Sequence, residues 1–100
     1  MKPKAMAKVI GGKRYNTETA TLIAHDAFWD GHNFERHGRN TFLYRTAKGA
    51  YFALHMTQWQ GEFDSIEPLD RDEAVELFEG LQEHEVSWSE AFPGIEIVDA

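Results

Sequence analysis

Thr41-Phe-Leu-Tyr-Arg-Thr46 and Ala50-Tyr-Phe-Ala-Leu-His-Met56, separated by Ala47-Lys48-Gly49, decide the fold. Both flanks are rich in β-branched and aromatic residues, which suit a pleated, half-buried surface. A three-residue connection with glycine last matches a type I turn followed by a left-handed residue. The stretch therefore predicts a β-hairpin over 41–56. On its second strand, Tyr51 and Ala53 would face one way, and Phe52, Leu54 and Met56 the other. Both faces are apolar, so this strand is expected at the centre of a sheet that is covered on both sides.

Working toward the N-terminus, Phe34–His37 is expected to pair ahead of the hairpin, with Gly38-Arg39-Asn40 as the turn. Ala20, Ile23, Ala24 and Ala27 fall at i, i+3, i+4 and i+7, the spacing of one buried helical stripe. Asn16 or Thr17 would cap that helix, and Glu18 would suit the positive end of its macrodipole. The spacing predicts a helix over 17–27 packed on the sheet, with Gly31 closing the region. Lys8–Tyr15 reads as a short hairpin turning at Gly11-Gly12.

Working toward the C-terminus, Gln58–Asp64 is polar and contains Gly61, which predicts a loop or an edge. Ile66–Leu69 is extended. Asp70 with Glu73 three residues later forms a capping box, and Ala74, Leu77, Phe78 and Leu81 make an apolar stripe. A helix over about 71–83 follows, with Asp72, Glu76, Glu79 and Glu83 along its opposite side. Ser87 and Glu90 repeat the capping pattern and predict one more helical turn over Ser87–Phe92, stopped by Pro93-Gly94. Ile95–Val98 reads as a terminal strand or a tail. The expected fold class is α+β. A small antiparallel sheet, built on the central hairpin 41–56, is packed by one N-terminal helix, and a second, acidic helix spans about 71–83. Residues 1–100 form a single domain, with 1–7 and 95–100 as loose ends.

A chain of 100 residues fits one domain. Hydrophobic residues at 42% and charged residues at 27% are ordinary globular values. There is no cysteine, which excludes a disulfide framework, a thiolate zinc site and a cysteine nucleophile. The basic Met1–Lys8 segment is not followed by an apolar run of signal-peptide length, and no stretch approaches a membrane span. A soluble, cytoplasmic protein that does not engage a membrane is expected. The net charge of −7 is unevenly spread: residues 1–50 carry nine Lys/Arg and four acids, for +5, and residues 51–100 carry Arg71 and thirteen acids, for −12.

Catalytic and cofactor chemistry finds little support. The five histidines include no i, i+4 pair on a predicted helix, and His25, Asp26, Asp30 and His32 read more simply as a polar helix end than as a metal cluster. The serines at 65, 87 and 89 lie in no nucleophile elbow, and Ser87 is explained as a cap. Gly11-Gly12-Lys13 matches neither nucleotide-binding fingerprint. A non-enzymatic protein without cofactor or metal is expected. The acidic run reads either as a solvated face or as a surface that meets a basic partner, since a line of carboxylates on a rigid helix can steer onto a Lys/Arg groove. Trp59 and Trp88 bracket this region. Trp59 is the candidate anchor, and Trp88 is equally placed to be core.

Three segments carry a resemblance. Val9-Ile-Gly-Gly-Lys-Arg-Tyr-Asn-Thr-Glu-Thr-Ala20, Leu43-Tyr-Arg-Thr-Ala-Lys-Gly-Ala-Tyr-Phe52 and Pro68-Leu-Asp-Arg-Asp-Glu-Ala74 resemble a family of small, largely uncharacterised proteins of phages, plasmids and other mobile elements, whose first motif has a G-K-R-Y-[DN]-T-E-T-A core. Where that family often continues with a glycine-rich H-G-x-G-G-type stretch, His55-Met-Thr-Gln-Trp-Gln-Gly61 stands here. The resemblance implies a bacterial host cytoplasm and an anti-CRISPR-like inhibitor of host defence, but assigns no residue a role.

The leading expectation is a binding protein that presents Asp72, Glu76, Glu79, Glu83 and Trp59 to a basic surface of a protein or ribonucleoprotein complex such as a CRISPR effector. Two alternatives stand beside it. One is a homo-oligomeric module, a homodimer for example, whose basic half meets the acidic half of a second copy. The other is a nucleic-acid binder using Lys13, Arg14, Arg36, Arg39 and Arg45.

Overall fold

The computed structural model describes residues 3–26 and 39–100. The central hairpin forms from β4 (Arg39–Arg45) and β5 (Tyr51–Thr57), in unbroken antiparallel register from Arg39↔Thr57 to Arg45↔Tyr51. Gly49 takes the left-handed position, at φ 88°, and the Thr46 N–H closes the turn onto the Ala50 carbonyl at 2.8 Å. Arg39 and Asn40, expected in a turn, instead open β4. Phe34–His37 and Gly38, with which they were grouped, lie outside the described residues.

β1 (Ala7–Ile10) and β2 (Lys13–Asn16) form the short N-terminal hairpin. Gly11 and Gly12 both sit at positive φ, 61° and 77°, as the tight two-residue turn demands. Thr17 anchors the chain ahead of β1. Its N–H donates to the Met6 carbonyl and its hydroxyl accepts the Met6 N–H, each at 2.9 Å.

The helix expected over 17–27 is not formed where the chain is described. Asn16 Oδ1 caps a turn instead, accepting the Glu18 N–H at 2.9 Å, and Thr21–His25 is a strand, β3, paired to β4. A register shift between Leu22 and Ala24 explains the misleading spacing. Ala20 and Leu22 pack toward Tyr15 and Phe52, while Ile23 and Ala24 both pack toward Phe78. Strand alternation broken by one bulge yields apolar residues at i, i+3 and i+4, just as a helix does. Ala27 and Gly31 lie outside the described residues.

β6 (Ser65–Leu69) pairs with β5 and tolerates Pro68 because it is an edge strand. α1 (Arg71–Gly80) begins at Asp70 with both halves of the capping box formed, a device worth about 1 kcal/mol. It ends three residues earlier than expected. Gly80 is a poor helix former, Leu81 is extended, and β7 (Glu83–His84) pairs with β3. α2 (Trp88–Ala91) is the expected helical turn, with Ser87 accepting the Glu90 N–H. Residues 95–100 form a tail without strand pairing.

The five-stranded sheet runs β6-β5-β4-β3-β7, so β5 is flanked on both edges as its sequence requires. Its two faces bury two cores. Tyr51, Leu43, Ile23 and Ala24 meet Ala74, Phe78, Leu81 and Phe92 beneath the helices. Phe52, Leu54, Phe42 and Tyr44 meet Tyr15, Ile10 and Met6 beneath the β1–β2 hairpin. The Tyr51 hydroxyl donates to the Ala91 carbonyl at 2.6 Å and ties α2 to the sheet. On the hairpin side Tyr44 stacks on Phe52 with ring centres 5.0 Å apart, and burial pushes its hydroxyl up to about 12. No helix among the described residues is long and apolar enough to cross a membrane.

Candidate functional site

The thirteen acids of residues 51–100 fall into two groups. Seven have work inside the fold. Asp70 and Glu73 form the capping box, and Ser87 donates to Glu90. Glu85 meets His25 and Glu67 meets His55, each at 2.9 Å. Glu62 takes both a 3.1 Å hydrogen bond from Arg39 Nε and a second from its Nη2, and Asp64 accepts from Lys4 Nζ and the Thr57 N–H at 2.8 Å each. The Arg39 guanidinium, aided by the Thr57 hydroxyl, holds the Glu62 carboxyl below its ordinary range. Lys4, aided by the Thr57 N–H, does the same for Asp64.

Asp72, Glu76, Glu79 and Glu83 belong to the other group. All four are exposed, and none of their side chains hydrogen-bonds or ion-pairs with any described residue. Asp72, Glu76 and Glu79 share the outer face of α1, where the i, i+3 and i+4 spacing sets like charges about 5–6 Å apart. Each such repulsion costs about 0.2–0.5 kcal/mol. Glu79 also opposes the macrodipole at the C-terminal end of a helix that has no basic residue in its last turn. Glu83 is not on the helix. It lies just past it on β7, beyond the Leu81 cap.

Trp59, the fifth expected residue, is not brought to this face. It follows β5 at the end opposite the Asp70 cap, since Leu69 pairs with Tyr51 at the far end of that strand. Its indole is 52% exposed and carries the Arg39 guanidinium 5.6 Å from the ring centre. The tryptophan near the acids is Trp88. Its indole N–H donates to the Ile95 carbonyl at 2.8 Å, and its ring packs on Phe78 and Phe92. Beside it opens a groove of about 630 Å³, lined by Glu79, Val86, Trp88, Glu96, Ile97 and Val98 among others. Ile97 and Val98 are 71% and 80% exposed.

An apolar groove with Glu79 and Glu96 at its rim thus adjoins the acidic face. Sequence reasoning missed its C-terminal wall because Ile95–Val98 reads equally as strand or tail. Ser87 caps α2, and His84 stacks on Phe78 with ring centres 3.9 Å apart. Of the four residues weighed as a metal cluster, Asp30 and His32 lie outside the described residues, and no cluster of three metal-ligating side chains occurs among those described. The chain matches no family model, no curated protein and no solved structure.

Proposed function

We propose that this protein is a non-enzymatic binding protein that occupies a basic, nucleic-acid-binding surface of a protein or ribonucleoprotein complex, in the manner of an inhibitor of a host defence complex such as a CRISPR effector. One observation carries the reading. Asp72, Glu76 and Glu79 share one face of α1 and Glu83 follows just past it, none with a side-chain partner among the described residues, and the like charges at 72, 76 and 79 and the acid at the C-terminal end of α1 cost that helix stability. Charge that destabilises its own fold is explained if a partner neutralises it. The apolar groove beside Trp88 would add desolvated contact at the rim of that charge, the arrangement in which interface tryptophans contribute most. Trp88 replaces Trp59 as the anchor in this reading. The resemblance to mobile-element proteins supports the setting.

The test is capture from a bacterial lysate by the immobilised chain and by its Asp72→Lys/Glu76→Lys/Glu79→Lys/Glu83→Lys form. The expected capture is a nucleic-acid-handling protein that is released by competing oligonucleotide, by rising salt and by the charge reversal. Equal capture by both forms, or capture indifferent to salt, overturns the reading.

A further inference from the structure

We infer a second site, for the phosphodiester backbone of a nucleic acid, in the groove between β2 and the turn of the β4–β5 hairpin. This groove holds about 560 Å³. Lys13 and Arg14 reach it from β2, Lys48 from the turn, and Asn16, Thr19 and Thr46 complete its polar wall. The chain has 17 acids and a net charge of −7, yet no carboxylate among the described residues lines this groove. Lys13, Arg14 and Lys48 are exposed, and none of them hydrogen-bonds or ion-pairs with a described residue. Lys4 and Arg39, by contrast, are each held by a carboxylate.

Lys13 and Arg14 follow one tight turn on β2, and Lys48 lies in the other. Gly11 and Gly12 allow the positive φ of the first and Gly49 that of the second, and the Thr46 hydroxyl accepts the Ala50 N–H at 3.0 Å across the latter. Three cations brought to one groove from β2 and the β4–β5 turn, with threonine hydroxyls in its wall, suit a polyanion with closely repeated phosphates. Base stacking is not part of the site. Among the described residues Tyr15 is the only aromatic one in its wall, and that ring is buried against Phe52 at 5.6 Å. The recognition is therefore of backbone rather than sequence. The structure also revises which cations take part. Arg39 is committed to Glu62, and Arg36 lies outside the described residues, whereas Lys48 joins Lys13 and Arg14. The inference does not rest on the acidic-face reading, because the groove lies on the hairpin side and α1 covers the other face of the sheet.

The experiment is fluorescence anisotropy with end-labelled, mixed-sequence single strands and duplexes of DNA and RNA. It starts at about 50 mM salt and is titrated upward, and the two sets of arms separate strand from duplex. Wild type is expected to bind, and Lys13→Gln/Arg14→Gln/Lys48→Gln to bind about 10-fold or more weakly, with a log–log salt slope shallower by about 2. Lys48→Gln alone, at an exposed turn position, is expected to lose part of the affinity and keeps the test readable if the triple form folds poorly. Asp72→Asn/Glu76→Gln/Glu79→Gln/Glu83→Gln is expected to bind as tightly as wild type or more tightly. No binding by wild type at the lowest salt overturns the inference, and so does equal binding by the triple form. Loss of binding in the acid-neutralised form overturns it by placing the contact on the helix face. Sedimentation showing a salt-sensitive dimer that the triple form abolishes also overturns it, by assigning the groove to the acidic face of a second copy.

Discussion

On one face of β5, Tyr51 lies beneath α1 and α2; on the other, Phe52 and Leu54 lie beneath the β1–β2 hairpin. The helix face is held by a contiguous core in which Phe78 meets Phe92, Trp88 and His84, and by the buried hydrogen bond from Tyr51 to the Ala91 carbonyl. The hairpin itself gives its face Met6, Ile10 and Tyr15, and its polar fastenings lie toward the surface, the Thr17–Met6 pair part-buried and the Lys4–Asp64 ion pair exposed. The charges without a partner among the described residues divide the same way, with Asp72, Glu76 and Glu79 on α1 and Lys13, Arg14 and Lys48 beside the hairpin. The +5 and −12 halves of the sequence do not fold onto one another at these positions. The sheet stands between them, which leaves each free to meet a partner of opposite sign.

The comparison breaks most sharply if both faces unfold as one. Phe78 is 3% exposed. Phe78→Ala is expected to cost about 3–5 kcal/mol and to lower the urea midpoint of the whole sheet. Thr17→Val removes the hydroxyl that accepts the Met6 N–H, and it is expected to cost about 1 kcal/mol. Its effect is local: hydrogen exchange should quicken at residues 6–17 and leave β5 protected. If Thr17→Val unprotects β5 to the same degree, the hairpin is part of the main cooperative unit and the distinction between the faces fails.

The same contrast governs what the sequence discloses. The β4–β5 hairpin is legible because both flanks are rich in β-branched and aromatic residues and Gly49 ends the turn; the β1–β2 hairpin is legible from Gly11-Gly12 and its flanks. α1 is legible from Asp70 and Glu73, because a capping box is a local signal. β3 is not legible, because the shift at Leu22/Ala24 is set by pairing with β4, far along the chain, and it converts a period of two into an apparent helical stripe. The candidate site divides likewise. Asp72, Glu76 and Glu79 share a face by helical periodicity, which sequence supplies. The nearness of Trp88 rather than Trp59, and the meeting of Lys48 with Lys13 and Arg14, come from tertiary structure and have no sequence signal.

A smaller effect sharpens the charge side of the comparison. Glu79 sits in the last turn of α1, where the macrodipole favours a cation and none is present. Glu79→Lys is expected to raise stability by about 0.3–1 kcal/mol, by reversing that interaction and relieving the repulsion with Glu76. Urea unfolding at low salt measures it, and the gain should shrink as salt is added. A loss of stability on this substitution would mean that Glu79 already serves the fold. The argument that its charge is kept for a partner would then lose its main support.

The smallest expected effect tests the long-range fastenings of the hairpin face. Asp64 is held below the ordinary carboxylate range first by Lys4 and then by the Thr57 N–H. A depressed folded value means that the unfolded chain takes up the proton first. The contribution is therefore fully present above the ordinary value near pH 4 and is lost as the pH falls through the folded value. The Lys4 and Asp64 side chains are 48% and 17% exposed, so solvent screening keeps the ion pair to a few tenths of a kcal/mol, about the level of other surface pairs. Asp64→Asn is expected to flatten the acid limb of stability by about that amount and to quicken exchange in residues 6–17 more than in α1. An unchanged acid limb would show that Lys4 and Asp64 do not hold the hairpin. Thr17 and the apolar contacts of Tyr15 would then be its principal attachment, and the groove of Lys13, Arg14 and Lys48 would be positioned by packing rather than by charge.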